Sequence, residues 1–249
     1  MQTQNVTFVG AGPGAAAHLT LGAYGALLRA DVVIHDRLVG AEVLALIPAH
    51  VRRIDVGKEG FGPSVPQPAI NHILVREALS GAKVVRLKGG DPGIFGRLEE
   101  ELAALEAEGL GFDILPGLTA ATVAAAAIGQ SLTQRGRNTA LRIATGHDIA
   151  GFADQDWAAL ARPGAVTAIY MGKKSARFIQ GRLLMHGAQP GIAVTVVSNI
   201  SRPDQQVIGA TLATLPAAVT QANGPAVLLL GLAPRAALQS LPKLHEAQA

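Results

Sequence analysis

Short apolar runs rich in β-branched residues alternate with segments of helical periodicity in the first half of the chain, and this alternation limits the possible folds most. The strand-like runs cover residues 6–9, 32–34, 51–56, 84–87 and 112–115. Between them, apolar residues recur at helical spacing over residues 19–29, 41–46, 67–79 and 97–108. Since this β-α-β-α order brings successive strands side by side in the same direction, it predicts a mostly parallel sheet with helices on both faces.

Pro116 and Gly117 interrupt this pattern, and the second half has a different order of elements. Strands are predicted near residues 138–144, 166–171, 193–197, 205–208 and 226–230. Helices are predicted over residues 119–128, 156–161, 175–185 and 211–220. A short polar segment joins the runs 193–197 and 205–208, which indicates a hairpin and hence a mixed sheet. We therefore predict two α/β domains, residues 1–116 and 117–249, with a ligand cleft between them.

The composition narrows the class of protein. The chain has 249 residues, of which 49% are hydrophobic and 16% charged, and this favours a compact globule over disorder. The absence of cysteine excludes disulfides, thiolate metal ligands and a cysteine nucleophile. A net charge of +3, with no block of cations interleaved with aromatics, argues against nucleic acid as a partner. The polar N-terminus is unlike a signal peptide, and the apolar stretches are shorter than the roughly 20 residues of a membrane span, so we expect a cytoplasmic protein without membrane partners.

Residues 86–97, Arg-Leu-Lys-Gly-Gly-Asp-Pro-Gly-Ile-Phe-Gly-Arg, are the most informative segment for function. Gly89 and Gly90 let the backbone approach a ligand closely, because neither carries a Cβ. Asp91 and Pro92 then fix a turn. The segment follows a predicted strand, and open α/β sheets bind ligands beyond the carboxyl ends of their strands. By spacing alone it is either a ligand loop or a solvated connection with a salt-bridged aspartate.

A second glycine-rich segment, Gly-Ala-Gly-Pro-Gly at residues 10–14, follows the first predicted strand. It suggests a phosphate site at a helix N-terminus. The dinucleotide fingerprint fails, however, because Ala15 occupies the position of its last glycine and Pro13 removes an N–H donor. Asp36 is the one candidate ribose ligand, and Arg37 follows it directly. We therefore do not expect NAD, while a rigid ligand loop stays possible.

Two further candidates follow predicted strands. Asp36 is either a general base or the ion-pair partner of Arg37, and Lys58 is either a carboxylate or proton-transfer group or a solvated lysine. Because Asp36, Lys58 and Asp91 each follow a strand of the same parallel sheet, we expect them at one edge of it.

The other polar candidates each have a structural alternative. Glutamates 99–101 suit a helix N-terminus, whereas Arg97 does not and is better explained as an anion binder. Thr119 is either a helix N-cap or a site residue. His147 has no second histidine at metal-ligand spacing and is interpreted as a loop residue. Met171, at the end of a strand, lines a pocket or fills the core.

These motifs, in this order, resemble the tetrapyrrole methylase family, the class III methyltransferases that use S-adenosyl-L-methionine (SAM). The similar segments are residues 9–14, 19–21, 30–33, 36–39, 55–58, 64–67, 70–71, 85–92, 94–97, 116–117, 119–120, 132–133, 135, 145–147 and 170–172. Asp-Arg-Leu-Val, Val-Gly-Lys and Leu-Lys-Gly-Gly-Asp-Pro are similar to the branch of the family that acts on uroporphyrinogen.

The resemblance implies two α/β domains, with a mostly parallel N-terminal sheet on the tetrapyrrole side, a mixed C-terminal sheet, SAM in the cleft between them, a homodimer and no metal. The SAM contacts that it implies are Pro13, Gly89, Gly90, Asp91, Ile94, Thr119, Ala120 and Met171. Asp36 and Lys58 would be proton acceptor and donor. Arg97 would be a substrate or catalytic arginine.

The activity that the resemblance implies is the methylation of uroporphyrinogen III at C2 and C7, which gives precorrin-2. Arg37, Lys58, Arg97 and Arg135 are suitable partners for its carboxylates. The chain departs from the family pattern near the expected site at Ala15, His35, Gly93, Leu98, Glu99, Gln134 and Ile200. These departures leave two alternatives open: methylation of a later precorrin, or a non-catalytic homologue that binds SAM or a tetrapyrrole. The sequence leaves open whether a product feeds cobalamin, sirohaem or haem d1.

Overall fold

A computed structural model describes residues 4–57, 65–148 and 151–235, and the chain divides into two compact units, Met1–Ala120 and Ala121–Ala249. The predicted boundary at residue 116 lies in the connection that precedes the helix at the start of the second unit. Among the residues that are described, no helix combines the length and the hydropathy that crossing a bilayer requires.

The first unit is a parallel sheet flanked by helices. Its strands are β1 (Gln4–Gly10), β2 (Val32–His35), β3 (Arg52–Asp55), β4 (Val84–Lys88) and β5 (Gly111–Leu115). Its helices are a 3-10 turn (Ala16–His18), α1 (Leu21–Arg29), α2 (Ala41–Ala45), α3 (Gln67–Leu79) and α4 (Leu98–Ala107). The strand order is β3-β2-β4-β1-β5, and every neighbouring pair is parallel. The parallel sheet predicted from the alternation is confirmed.

Most side chains of the central strands β2 and β4 are apolar and buried on both faces, because helices cover both sides of the sheet. Val33 and Val85 pack with Leu27 of α1 in one buried cluster. The next residues toward the N-terminus, Val32 and Val84, point to the opposite face and belong to a second cluster that includes side chains of α3 and α4. This period of two is what extended strands dictate. Two separate cores therefore hold the sheet in place.

The second unit is a mixed sheet with helices. Its strands are β6 (Leu141–Thr145), β7 (His147–Asp148), β8 (Gly151–Phe152), β9 (Val166–Tyr170), β10 (Ala193–Ser198), β11 (Gln206–Thr211) and β12 (Ala226–Leu230). Its helices are α5 (Ala120–Ala127), α6 (Trp157–Leu160), α7 (Ala176–Met185) and α8 (Leu215–Gln221). The main sheet has the order β11-β10-β12-β9-β6, in which only β6 and β9 are parallel. The predicted hairpin of β10 and β11 and the mixed sheet are confirmed.

Local hydrogen bonds explain where elements differ from the predicted ranges. Helix α1 begins at Leu21 and not at residue 19, because the Thr20 hydroxyl accepts the Ala23 N–H at 3.1 Å as an N-cap. Helix α8 begins at Leu215 and not at residue 211, because Thr211 still pairs with Ala193 in the hairpin. The two-residue strands β7 and β8 were not predicted, since so short a hairpin leaves no periodic signal.

Candidate functional site

The carboxyl edge of the parallel sheet carries most of the candidate residues. All five strands run in the same direction, so the segments that follow β1, β2, β4 and β5 lie at this edge. The structure places Asp36 directly after β2 and Asp91 three residues after β4, as the sequence led us to expect. Lys58 lies outside the described residues, which pause after Gly57 and resume at Val65.

Four glycines, Gly10, Gly12, Gly90 and Gly117, bring the connections after β1, β4 and β5 into backbone contact. A Cβ on Gly10 would lie 2.4 Å from the Gly117 nitrogen and 2.8 Å from the Gly90 oxygen. Gly12 and Gly90 exchange two backbone hydrogen bonds, of 3.1 and 2.8 Å. Gly90 has φ +74° and nothing within 4 Å of the place a Cβ would take, so its outer side is open to a ligand. The glycine spacing at residues 10–14 therefore serves close backbone packing and not a dinucleotide fingerprint.

The carboxylate of Asp91 is held by backbone amides. Its Oδ1 accepts the Gly93 N–H at 2.9 Å, and its Oδ2 accepts the Gly117 N–H at 3.0 Å. The first bond shapes the turn, and the second ties it to the connection after β5. The sequence left open whether Asp91 forms a salt bridge. In the structure its carboxylate instead accepts backbone N–H groups and joins two segments of the candidate site.

Asp36 organises the turn after β2. Its Oδ1 accepts the Leu38 N–H at 3.0 Å, and the residue is partly exposed. Arg37 packs against the backbone of Gly57, where a Cβ would lie 2.3 Å from the arginine Cγ. Within the described ranges, Asp36 and Arg37 form no ion pair with each other, so the structural alternative for Asp36 is not realised.

Arg97 is preorganised by a neighbouring acid. It has φ 53°, a left-handed conformation, at the N-cap of α4. Its Nε and Nη2 donate to Glu100 Oε1 and Oε2, both at 2.7 Å. This bidentate pair raises the pKa of Arg97 and lowers that of Glu100. From the sequence we attributed Glu100 to the helix terminus alone, although its i,i+3 spacing from Arg97 indicates a pair.

A buried ion cluster that was not predicted from the sequence lies beneath this edge. Glu101 is fully buried, and its Oε1 accepts Arg86 Nε and Nη2 at 3.1 and 3.0 Å. Its Oε2 accepts Lys88 Nζ at 2.8 Å, and Gln67 donates to Oε1 at 3.1 Å. Burial lowers the pKa of Lys88 and the Arg86 charge adds to this, while Glu101 and Asp36 oppose it. Two cations at alternate positions of an otherwise apolar strand were the available signal, because they share one face and need a buried carboxylate.

The remaining candidates of the first unit lie in the same connections. Pro13 and Ile94 are partly buried in the loops after β1 and β4. A Cβ on Gly89 would lie 2.6 Å from Leu38 Cβ, so the loops after β2 and β4 also touch. Thr119 directly precedes α5, the helix that begins at Ala120. Its role as N-cap or ligand contact stays a prediction.

In the second unit, Met171 follows β9 with a left-handed φ of 54° and is half exposed, so it does not fill the core. The hydroxyl of Tyr170 accepts the Ala121 N–H at 2.8 Å, which joins the carboxyl end of β9 to the first turn of α5. A Cβ on Gly146 would lie 2.8 Å from the Cα of Gly172, a second close contact between strand ends. The structure thus brings Met171 and the start of α5 to one end of this sheet.

Comparison with known proteins supports one assignment. Residues 5–216 match the family model of Tetrapyrrole (Corrin/Porphyrin) Methylases. A uroporphyrinogen-III C-methyltransferase of Paracoccus denitrificans (strain Pd 1222) is 50% identical over 226 residues, which cover 90% of this chain and 78% of that protein. Siroheme synthase 3 of Aeromonas hydrophila subsp. hydrophila is 44% identical over 226 residues, and these cover 91% of this chain but 48% of that protein. The chain thus spans about half the length of that relative.

A solved structure agrees with these relatives. The uroporphyrin-III C-methyl transferase from Thermus thermophilus, complexed with S-adenyl homocysteine, superposes with a TM-score of 0.78 at 35% identity. The superposition covers 91% of this chain and 97% of that one. The fold class and the resemblance predicted from the ordered motifs are confirmed. With a family model that matches most of its length and a relative identical at half of the aligned positions, this chain belongs to the tetrapyrrole methylases.

Proposed function

We propose that this protein is a SAM-dependent C-methyltransferase that converts uroporphyrinogen III to precorrin-2 by methylation at C2 and C7. The observation that carries the proposal is the glycine-packed carboxyl edge of the first sheet, where the loop after β4 has an open backbone side at Gly90 and a fixed Asp91. The Paracoccus relative bears the name of this activity, and the Thermus neighbour was solved with S-adenyl homocysteine, the product that SAM leaves after methyl transfer.

The residues of this chain fit SAM as a co-substrate. SAM supplies an activated methyl group, so the protein has mainly to orient it for in-line attack and to keep water away. We assign its binding to the residues that the family resemblance implies, which include open backbone at Gly90 and an exposed side chain at Met171. The full set is Pro13, Gly89, Gly90, Asp91, Ile94, Thr119, Ala120 and Met171.

The transfer of the methyl group from SAM balances in atoms and charge without a metal ion. A pyrrole carbon attacks the methyl group, the methyl–sulfur bond breaks, and its electron pair stays on the sulfur. The macrocycle has then gained a positive charge, which it loses by giving up a proton. We assign Asp36 as the proton acceptor, because its partly exposed carboxylate lies at the same edge as the proposed SAM loop. Lys58 is the proposed proton donor.

The proposed substrate is a polycarboxylate, and we assign the binding of its carboxylates to arginine side chains. Arg97 presents a guanidinium that Glu100 holds in a fixed orientation, and more than half of its side chain is exposed. Arg37 and Arg135 are exposed as well. Planar guanidinium groups bind carboxylates in a bidentate manner, which suits this substrate. As in the sequence analysis, the homodimer and a cytoplasmic location belong to the proposal.

Incubation of the purified protein with SAM and uroporphyrinogen III, without oxygen, tests the proposal. We expect a product that carries two added methyl groups by mass spectrometry, with S-adenosylhomocysteine formed in the same proportion. The Arg97→Ala variant is the control, because methyl transfer that depends on the proposed site should be slower in this variant. Binding of SAM without any transfer would instead identify a non-catalytic homologue, and transfer restricted to an already methylated substrate would identify a later-precorrin methylase.

A further inference from the structure

The loop of residues 89–97 connects β4 to α4 and carries Arg97 and four of the proposed SAM residues. Its two flanking elements are joined below it by the buried ion cluster: Lys88 is the last residue of β4, and Glu101 lies in the first turn of α4. No residue of the proposed SAM set takes part in this contact. The cluster therefore contains none of the proposed SAM residues but joins the two elements that flank the central loop.

Lys88 depends on Glu101 more than Arg86 does. The guanidinium of Arg86 also donates to the backbone oxygens of Ile34 and Leu87, at 3.4 and 3.3 Å. For Lys88, which is 4% exposed, Glu101 is the one hydrogen-bond partner found in the described part of the chain. A buried ammonium without a carboxylate is strongly unfavourable. Loss of this contact would therefore force Lys88, and not Arg86, to move toward water.

Movement of Lys88 would reach the loop by two routes. Its backbone oxygen accepts the Ala11 N–H at 2.8 Å, which connects it to the loop after β1. Its side chain runs beneath the turn before Arg97, where a Cβ on Gly96 would lie 3.1 Å from Lys88 Cε. Gly89 follows directly in the chain. Lys88 thus contacts the loop after β1 through its backbone and the turn before Arg97 through its side chain, while its ammonium is bound to Glu101.

We infer that Lys88 and Glu101 act as positioning residues, a buried clamp that sets the geometry of the loop of residues 89–97 and through it the binding of SAM. This inference rests on the proposed function. Neither side chain is assigned a contact with SAM or with the tetrapyrrole. Their effect passes through the loop alone.

The substitution Lys88→Met tests the clamp, because it removes the ammonium but leaves Glu101 paired with Arg86. We expect the Kd for SAM, measured by calorimetry, to rise about tenfold or more, since small displacements of positioning groups have effects of this order. We also expect faster hydrogen–deuterium exchange in the peptide that covers residues 86–97. A merely structural role would lower thermal stability without either change.

The matched control is Glu77→Gln. Glu77 is a buried carboxylate of the same unit, paired with Arg52 and Arg76, and it lies in α3. Its loss should lower the melting temperature but leave SAM affinity and loop exchange unchanged. If Lys88→Met does not fold, Lys88→Gln, which is shorter and uncharged but still polar, is measured in the same way and should show the same two changes in smaller measure.

The outcomes separate the clamp from the proposed function. Unchanged SAM affinity and unchanged loop exchange in the Lys88 variant would overturn the clamp while leaving the function intact. If the wild-type protein fails to bind SAM, the proposed function fails. In that case the clamp is judged by hydrogen–deuterium exchange alone. Faster exchange of residues 86–97 in the Lys88 variant supports it, and unchanged exchange overturns it.

Discussion

Glu100 and Glu101 are neighbours in the first turn of α4, yet they have opposite environments. Glu100 is half exposed and pairs with Arg97 at the candidate site, whereas Glu101 is fully buried and pairs with Arg86 and Lys88. The dipole of the helix favours both acids equally. One step along a helix turns the side chain by about 100°. The comparison teaches that the direction in which the side chain points decides its environment. Residue type and position at the helix terminus are the same for the two acids, yet one lies at the candidate site and the other in a buried ion cluster.

The largest expected effect is on stability and concerns Glu101. Glu101→Gln leaves two buried cations without a carboxylate, which should cost about 3–5 kcal/mol of unfolding free energy. Urea denaturation measures it. Glu100→Gln is the matched control and should have little effect, because its partner is solvated. Equal losses in the two variants would remove the distinction between the two acids.

The second expected effect is on activity and concerns the exposed pair. Arg97→Ala should lower kcat about a hundredfold, the order seen when one positioned charge-stabilising group is removed. The Kd for SAM and the melting temperature should change little, because the side chain is more than half exposed. Rates with uroporphyrinogen III and calorimetry with SAM check this. A wild-type rate would show that the proposed role of Arg97 is wrong.

The environment of Asp91 differs from those of both glutamates. Its carboxylate accepts hydrogen bonds from backbone amides and not from cations, and it lies in the proposed SAM loop. Asp91→Ala frees the Gly93 and Gly117 amides and should weaken SAM binding about tenfold, the value of one charged hydrogen bond. Asp91→Asn keeps one carbonyl acceptor and should lose less. Calorimetry with SAM compares the variants. An affinity equal to that of the wild type would exclude Asp91 from the proposed site.

The smallest expected effect is the pH dependence of the Arg97–Glu100 pair. The hydrogen bond from Arg97 lowers the pKa of Glu100 below its ordinary value near 4.3. A lowered carboxyl pKa gives stability that is fully present above the unfolded value and is lost as the pH falls through the folded value. The difference in melting temperature between the wild type and Glu100→Gln should therefore be small at pH 7 and should shrink further as the pH falls below the ordinary range of a glutamate. A difference that grows as the pH falls would contradict this sign.

The sequence predicted the first sheet well, because short apolar runs, β-branched in β2 and at the start of β4, alternate with segments of helical periodicity. The loop of residues 86–97 was recognisable for the same reason: glycines and an aspartate follow a strand whose direction the alternation implies. The short pair β7 and β8 was missed, since two residues on each strand give no period. Helix starts shifted where a single side chain, such as Thr20, decides the cap.

The partners of the charged residues were harder to predict. Glu101 meets Arg86 and Lys88 only after the chain has passed through a complete loop, and no local pattern specifies that contact. In the same way, Gly10 and Gly117 showed conformational freedom in the sequence but not which backbone each one touches. The part of the site that depends on contacts across the fold therefore needed the structure.

The contact of Gly10, Gly90 and Gly117 has a consequence for how this protein can vary. Main-chain atoms form the contact itself, so a side chain at Gly10 or Gly117 would enter it, while a side chain at Gly90 would strain its left-handed backbone. If this contact carries the methyl donor, as proposed, selection can exchange the residues that face an acceptor molecule while the donor platform stays the same. One donor platform would then serve many related ring systems, each distinguished by its own set of peripheral cations.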